Sequence, residues 1–140
     1  MSFNDFLGTW KLVSCELRRG NEVSYPFGED PVGFIIYNSD GYMAAFLAPK
    51  ERSHFKSDDI MGGSAEEKIA AMDTFVSYCG RFEVLSDMVV HHVAVSMFPN
   101  WRGGKRERFY KFEGNRLILS TAPNLISGKI RTASIAWEKV

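Results

Sequence analysis

"FEVLSDMVVHHV", residues 82–93, sets two apolar, β-branched runs on either side of the dipeptide Ser86–Asp87. A two-residue link between such runs reads as a tight antiparallel hairpin. The link also sets register, and register sets faces, because successive strand residues point to opposite sides of a sheet. With Ser86–Asp87 as the turn, Val84 faces Val89, Phe82 faces His91 and Gly80 faces Val93. That set is apolar and belongs inside. The other set pairs Leu85 with Met88, Glu83 with Val90 and Arg81 with His92, and its charges belong in water. The adjacent histidines therefore part company, His91 inward and His92 outward.

The same pattern recurs outward from this hairpin. Eight runs rich in Val, Ile, Phe, Tyr and Thr are legible at 8–18, 31–38, 42–49, 77–85, 88–97, 105–112, 116–121 and 129–138. The fold class is all-β. Strands two and three are joined by "NSDG" (38–41), four and five by Ser86–Asp87, and six and seven by Gly114–Asn115. The remaining links are long: 19–30, 50–76, 98–105 and 122–129. If neighbours pair in order, every tight turn falls at one end and every long loop at the other. That predicts an eight-stranded up-and-down antiparallel barrel with a plain bottom and an elaborated mouth, where ligand sites usually sit. A helix is expected at about 64–76, between strands three and four at the mouth. Ser64 followed by Glu67 is a capping box, and Ile69, Met72, Phe75 and Val76 share a helical face. Gly62 and Gly63 would let this helix hinge as a lid. A length of 140 residues suits one domain, 1–140.

Turn register also orders the interior. Around Gly114–Asn115, Phe112 meets Leu117, Tyr110 meets Leu119 and Arg108 meets Thr121, so Arg108, with Arg106 beyond it, enters the barrel wall on the mouth side. Around "NSDG", Tyr37 falls opposite Met43 and Ile35 opposite Ala45. Trp10 and Trp137 lie at the tight-turn end as a floor of core aromatics. With Trp10 inward, alternation carries Leu12, Ser14 and Glu16 inward too. The result is an apolar cup containing Met43 and Phe82, on which Tyr37, Tyr110, His91, Ser14, Glu16 and Arg108 converge. Tyr25, Phe27, Phe98 and Trp101 rim its mouth. Arg108 either pairs with Glu16, since a buried charge needs a partner, or awaits a ligand carboxylate or enolate.

Composition narrows the function classes. Formal net charge is zero, with 17 basic and 17 acidic residues, so there is no basic excess of the kind nucleic-acid binders carry. No run approaches the ~18 apolar residues of a membrane span. "MSFNDFLGTW" lacks the basic and apolar regions of a signal peptide, and Cys15 and Cys79 are too few for a disulfide framework. The expectation is a cytoplasmic protein with reduced thiols, a monomer or homodimer. There is no nucleophile elbow, phosphate loop or His-x-x-x-His helix. With His54 remote and His92 outward, neither a metal nor another cofactor is expected.

"GTWKLVS" (8–14), "YPFGEDPVGFIIYNSDGYM" (25–43) and "VVHHVAVSMFPNW" (89–101) strongly resemble the lipocalin-like domain family. "GSAEEKIAAMDTFVSYCG", "RLILST" and the closing "AWEKV" agree with it. The resemblance implies a lipocalin-type barrel around a hydrophobic cavity. Arg108-Phe109-Tyr110 is also similar to the Arg-x-Tyr pair with which fatty-acid-binding proteins hold a carboxylate. The segment 19–30, however, is too short and too rich in Gly and Pro for the helical pair of those proteins. Two readings follow. The first is binding of a small hydrophobic molecule bearing a carboxylate or carbonyl, at Tyr37, Met43, Phe82, His91, Arg108, Tyr110, Ser14, Glu16 and Trp101. The second is a cofactor-independent cyclase, isomerase or dehydratase for a polyketide- or terpenoid-like substrate, with His91 as acid and base. A protein-interaction surface made of the mouth aromatics is a third class.

Overall fold

In the computed structural model, which describes residues 2–140, the strand-rich segments close on one another. The barrel strands are β1 (Gly8–Arg19), β3 (Val32–Tyr37), β4 (Tyr42–Ala48), β5 (Val76–Val84), β6 (Met88–Ser96), β7 (Lys105–Glu113), β8 (Arg116–Ser120) and β10 (Lys129–Lys139). Each pairs antiparallel with the next, and β1 pairs with β10 to close the ring. Two short strands extend the mouth end. β2 (Glu22–Ser24) folds back on β1, and β9 (Asn124–Ile126) pairs with the start of β10.

The hairpin register is the one the turns dictate. Val84 pairs with Val89, Phe82 with His91, Gly80 with Val93 and Arg81 with His92. Tyr37 pairs with Met43, and Phe112 with Leu117. His91 is buried at 1% exposure, whereas His92 lies outside, its Nε2 2.8 Å from Glu83 Oε1.

Strand β1 departs from simple alternation. Its register against β10 shifts between Leu12 and Ser14, so one extra residue, Val13, bulges. A bulge turns the following residues over to the opposite face. Cys15 and Leu17 therefore join Trp10 and Leu12 inside, and the expected inward placement of Ser14 and Glu16 is corrected. Glu16 instead meets Arg18 at 3.0 Å on the outer side. A second shift lies between Cys79 and Gly80, where the chains run so close that a Cβ on Gly80 would sit 1.8 Å from the His92 carbonyl oxygen.

The bottom is sealed by an element the strand pattern does not announce. Helix α1 (Phe3–Phe6) is held at its start by Asp5, whose carboxylate accepts from the Ser2 backbone N–H at 2.8 Å. Phe6 is fully buried and meets Tyr37, Tyr110 and Phe112 edge-on at 5.0–5.4 Å. Trp10 Nε1 donates to the Phe6 carbonyl at 2.8 Å, and Phe3 stacks on Phe82 at 4.9 Å.

Helix α2 (Ala65–Asp73) has the expected capping box. Ser64 Oγ accepts from the Glu67 N–H at 3.1 Å, and the Glu67 carboxylate accepts from Ser64 N and Lys56 N. It ends earlier than 64–76, because Thr74 caps it and Val76 already opens β5. The expected apolar face is therefore split. Ile69 and Met72 stay largely exposed, and none of the helix residues is buried. Arg52 fastens the C-terminal end, donating to the Ala71 carbonyl at 2.9 Å and Thr74 Oγ1 at 3.2 Å.

Candidate functional site

The barrel interior divides into two halves. The lower half, toward the tight turns, is packed with Phe6, Trp10, Tyr37, Met43, Phe82, Val89 and Leu117. The upper half holds a cavity of about 550 Å³ that opens among the long loops. Leu17, Ile35, Leu47, Leu119, Ile135 and Trp137 form apolar walls. Phe27, Phe98 and Trp101 stand at the mouth, with Met72 from the end of α2 and Asn124–Ser127 around β9. The volume lies within the ~300–1,000 Å³ usual for small-molecule sites.

Between the two halves lies a hydrogen-bonded trio. His91 Nε2 is 2.7 Å from Tyr37 Oη, and His91 Nδ1 is 2.7 Å from Tyr78 Oη. Burial pushes the imidazole down to about 3, assisted by the nearby Arg108 and Arg106 guanidinium groups. Burial also raises both phenols above their ordinary value, so at neutral pH all three rings are uncharged. A neutral imidazole has one N–H and one lone pair, so one tyrosine donates to it and the other accepts from it.

Hydrogen-bond accounting decides which. Tyr37 is wedged among the rings of Phe6, Phe82 and His91, and its hydroxyl has no partner but His91 among the described residues. If Tyr37 accepted, its own proton would be stranded in a dry core at a cost of about 1–3 kcal/mol. Tyr37 therefore donates to Nε2, and Nδ1–H donates to Tyr78. The Tyr78 proton is left to point elsewhere, and Tyr78 lines the cavity.

Two arginines complete the polar part of the wall. Arg106, paired with His91 across β6 and β7, lays its guanidinium over the Trp101 ring at 4.3 Å. Its buried Nε has no hydrogen-bond partner among the described residues. Arg108 donates to the Glu107 carbonyl at 2.9 Å. No carboxylate lies within 4.0 Å of either guanidinium among the described residues, and the pairing of Arg108 with Glu16 is not formed. Burial, with Arg108 beside it, lowers Arg106 from its ordinary value. The indole Nε1–H of Trp137 is likewise buried and unpartnered. Cys15 also faces the cavity, its thiol pushed up to about 12 by burial.

A family model described as the lipocalin-like domain matches residues 7–140. The chain belongs to the lipocalin-like domain family. Among curated proteins, this lipocalin-like chain is 34% identical over 107 residues to the 4'-hydroxy-3'-methoxypropiophenone carrier protein of Aspergillus oryzae. The match covers 69% of this chain and 95% of that protein.

Of the residues expected to line the site of this lipocalin-like barrel, Arg108 and Trp101 stand in the cavity wall. Tyr37, Met43, Phe82 and His91 are buried beneath it in the packed half. Tyr110 belongs to the floor, where its hydroxyl donates to the Leu85 and Ser86 carbonyls at 3.0 and 3.1 Å. Ser14 and Glu16 are excluded by the Val13 bulge. Tyr78 and Arg106 lie in the wall without belonging to that expected set. Arg106 stands where the register around Gly114–Asn115 expects it, in the wall beyond Arg108, and Tyr78 follows from the same alternation. Tyr78 is two residues from Gly80 on the inward face, and Arg106 is two residues from Arg108.

Proposed function

We propose that this lipocalin-like barrel binds a small hydrophobic aromatic molecule carrying a carbonyl group, held in the mouth cavity as a carrier holds its cargo. One observation carries the reading: the two arginines and Tyr78 in the wall of a mostly apolar cavity are donors in want of acceptors. Among the described residues Arg106 and Arg108 have no carboxylate partner, and Tyr78 has a proton to give. A ligand with acceptor oxygens on an apolar body satisfies these groups, and an alkane does not. The ligand named for the Aspergillus oryzae relative, an aryl ketone, has that character.

The cyclase or isomerase reading relies on His91 meeting a substrate. Its ring sits behind Tyr78, with both nitrogens engaged and 1% exposure. That arrangement favours a positioning role, fixing the direction in which Tyr78 donates. Both cysteines are free thiols, which supports a reducing, cytoplasmic setting.

Trp101 and Trp137 line the cavity, so their fluorescence reports its filling. Titration with 4'-hydroxy-3'-methoxypropiophenone is expected to quench it saturably at one ligand per chain. Trp101→Ala, which removes a mouth wall, should weaken the affinity. A linear, non-saturating response would refute the reading.

A further inference from the structure

The donors are more specific than a neutral carbonyl requires. A single ketone oxygen is satisfied by one or two hydrogen bonds, yet this cavity offers two guanidinium groups together with the Tyr78 hydroxyl. The charged and titratable groups facing it are Cys15 from β1, Asp73 from the end of α2, Tyr78 from β5, and Arg106 and Arg108 from β7. His91 of β6 lies behind Tyr78. Asp73 is exposed, and no salt bridge joins it to either arginine among the described residues. The thiol of Cys15 stays protonated. The inner cavity is therefore a low-dielectric pocket with uncompensated positive charge. Filling it with a neutral body would leave two cations desolvated, whereas filling it with an anion offsets both.

We propose that the cavity takes its ligand as an anion: a para-acyl phenol bound as its phenolate, with the negative charge held by Arg106 and Arg108 and a hydrogen bond donated by Tyr78. The inference rests on the binding reading above and adds the ionisation state of the ligand. A para-acyl phenol suits such a site because its phenolate charge is delocalised through the ring onto the carbonyl oxygen, giving two anionic acceptors on a flat apolar body. The phenol O–H bond breaks on binding, and its proton passes to solvent. The Tyr37–His91–Tyr78 chain takes no proton. It keeps the Tyr78 hydroxyl a donor, because Nδ1–H already occupies one of the lone pairs of Tyr78 Oη. An opposite charge within ~4–6 Å lowers the pKa of an acid by about 1–3 units, and here two are available.

The test uses the full chain, 4'-hydroxy-3'-methoxypropiophenone, and its 4'-O-methyl ether, which cannot ionise. Phenolates of this class absorb at longer wavelength than the parent phenols, so bound ligand can be titrated by absorbance. The bound phenol is expected to ionise at least about one pH unit below the free compound, which is a tenfold change in its acid dissociation constant. The ether is expected to bind at least about tenfold more weakly than the phenol at pH 8. Arg106→Gln and Arg108→Gln should each return the bound phenol toward its free value and narrow the preference for phenol over ether, with an unchanged circular dichroism spectrum as the control that the barrel is intact. If a variant changes that spectrum, the wild-type titration and the wild-type preference for phenol over ether decide the matter alone. A bound phenol that ionises at or above the free value, or an ether that binds as tightly as the phenol, overturns the proposal while leaving the binding reading standing. Failure of both compounds to bind removes the binding reading and this inference together.

Discussion

Replacing His91 by Gln should make the protein less sensitive to acid, and the structure sets the size of the effect. The imidazole ordinarily titrates at 6.5, and burial between two tyrosines pushes it down to about 3. The unfolded chain therefore takes up a proton as pH falls through 6.5, while the folded protein refuses it until pH 3 is approached. In that window the unfolded state binds more protons, so stability falls with falling pH at up to ~1.4 kcal/mol per unit. From pH 7 to pH 5 the His91 contribution to that loss is about 2 kcal/mol, a large share of the ~5–15 kcal/mol by which domains are usually stable. His91→Gln keeps one donor and one acceptor for Tyr37 and Tyr78 but carries no titrating ring. It costs stability at pH 7, through poorer hydrogen-bond geometry. Urea unfolding followed by tryptophan fluorescence at pH 7 and pH 5 gives the comparison. The carboxyl groups of Asp5 and Glu67, held below their ordinary range by backbone N–H groups, lose stability with acid in both proteins alike. The His92–Glu83 pair is also common to both. The wild-type advantage over the variant should shrink by about 2 kcal/mol between the two pH values. Equal loss in both proteins would mean that His91 titrates like an exposed histidine, and the sealed Tyr37–His91–Tyr78 trio would be wrong.

Three further outcomes follow from the same geometry. Phe6→Ala opens a cavity under the floor and should cost about 3–5 kcal/mol by chemical denaturation; a loss under 1 kcal/mol would mean that α1 does not seal the barrel. Gly80→Ala places a methyl 1.8 Å from the His92 carbonyl oxygen, so it should prise β5 from β6 and lower the thermal midpoint, whereas an unchanged midpoint would deny the close approach. With its thiol pushed up to about 12, Cys15 is only about one-thousandth thiolate at pH 9, so Ellman's reagent should modify Cys79 in the folded protein and Cys15 only in denaturant. Equal rates for the two thiols would contradict the burial of Cys15.

The parts of this molecule legible in sequence are those governed by local turn chemistry. Ser86–Asp87, Gly114–Asn115 and "NSDG" each fix a hairpin register within a few residues, and from them the inward His91, the outward His92 and the inward Arg108 follow. The Val13 bulge is different in kind. It is made against β10, more than a hundred positions along the chain, and its one local sign in "WKLVSCEL" is a slip of the apolar phase, from Trp10 and Leu12 to Val13, Cys15 and Leu17. Strict alternation through Val13 is what puts Ser14 and Glu16 on the wrong face. Helix α1 has four residues, too few for a helical period, and its one local sign is Ser2 three positions before Asp5. Alternation also cannot tell an empty rung from a filled one. Tyr37, Met43 and Phe82 point inward as expected, but α1 fills the barrel around them, and the open space lies instead beside Tyr78, Arg106 and Arg108.

The mouth cavity, with its arginines and Tyr78, is the ligand site proposed for this barrel. The most direct test is a crystal structure of the protein grown with 4'-hydroxy-3'-methoxypropiophenone. Ligand density is expected in the upper half of the barrel, with an oxygen within ~3 Å of Arg106 or Arg108 and another polar contact at Tyr78 Oη. Ligand bound only outside the barrel, or a cavity filled by the protein's own side chains, would contradict it.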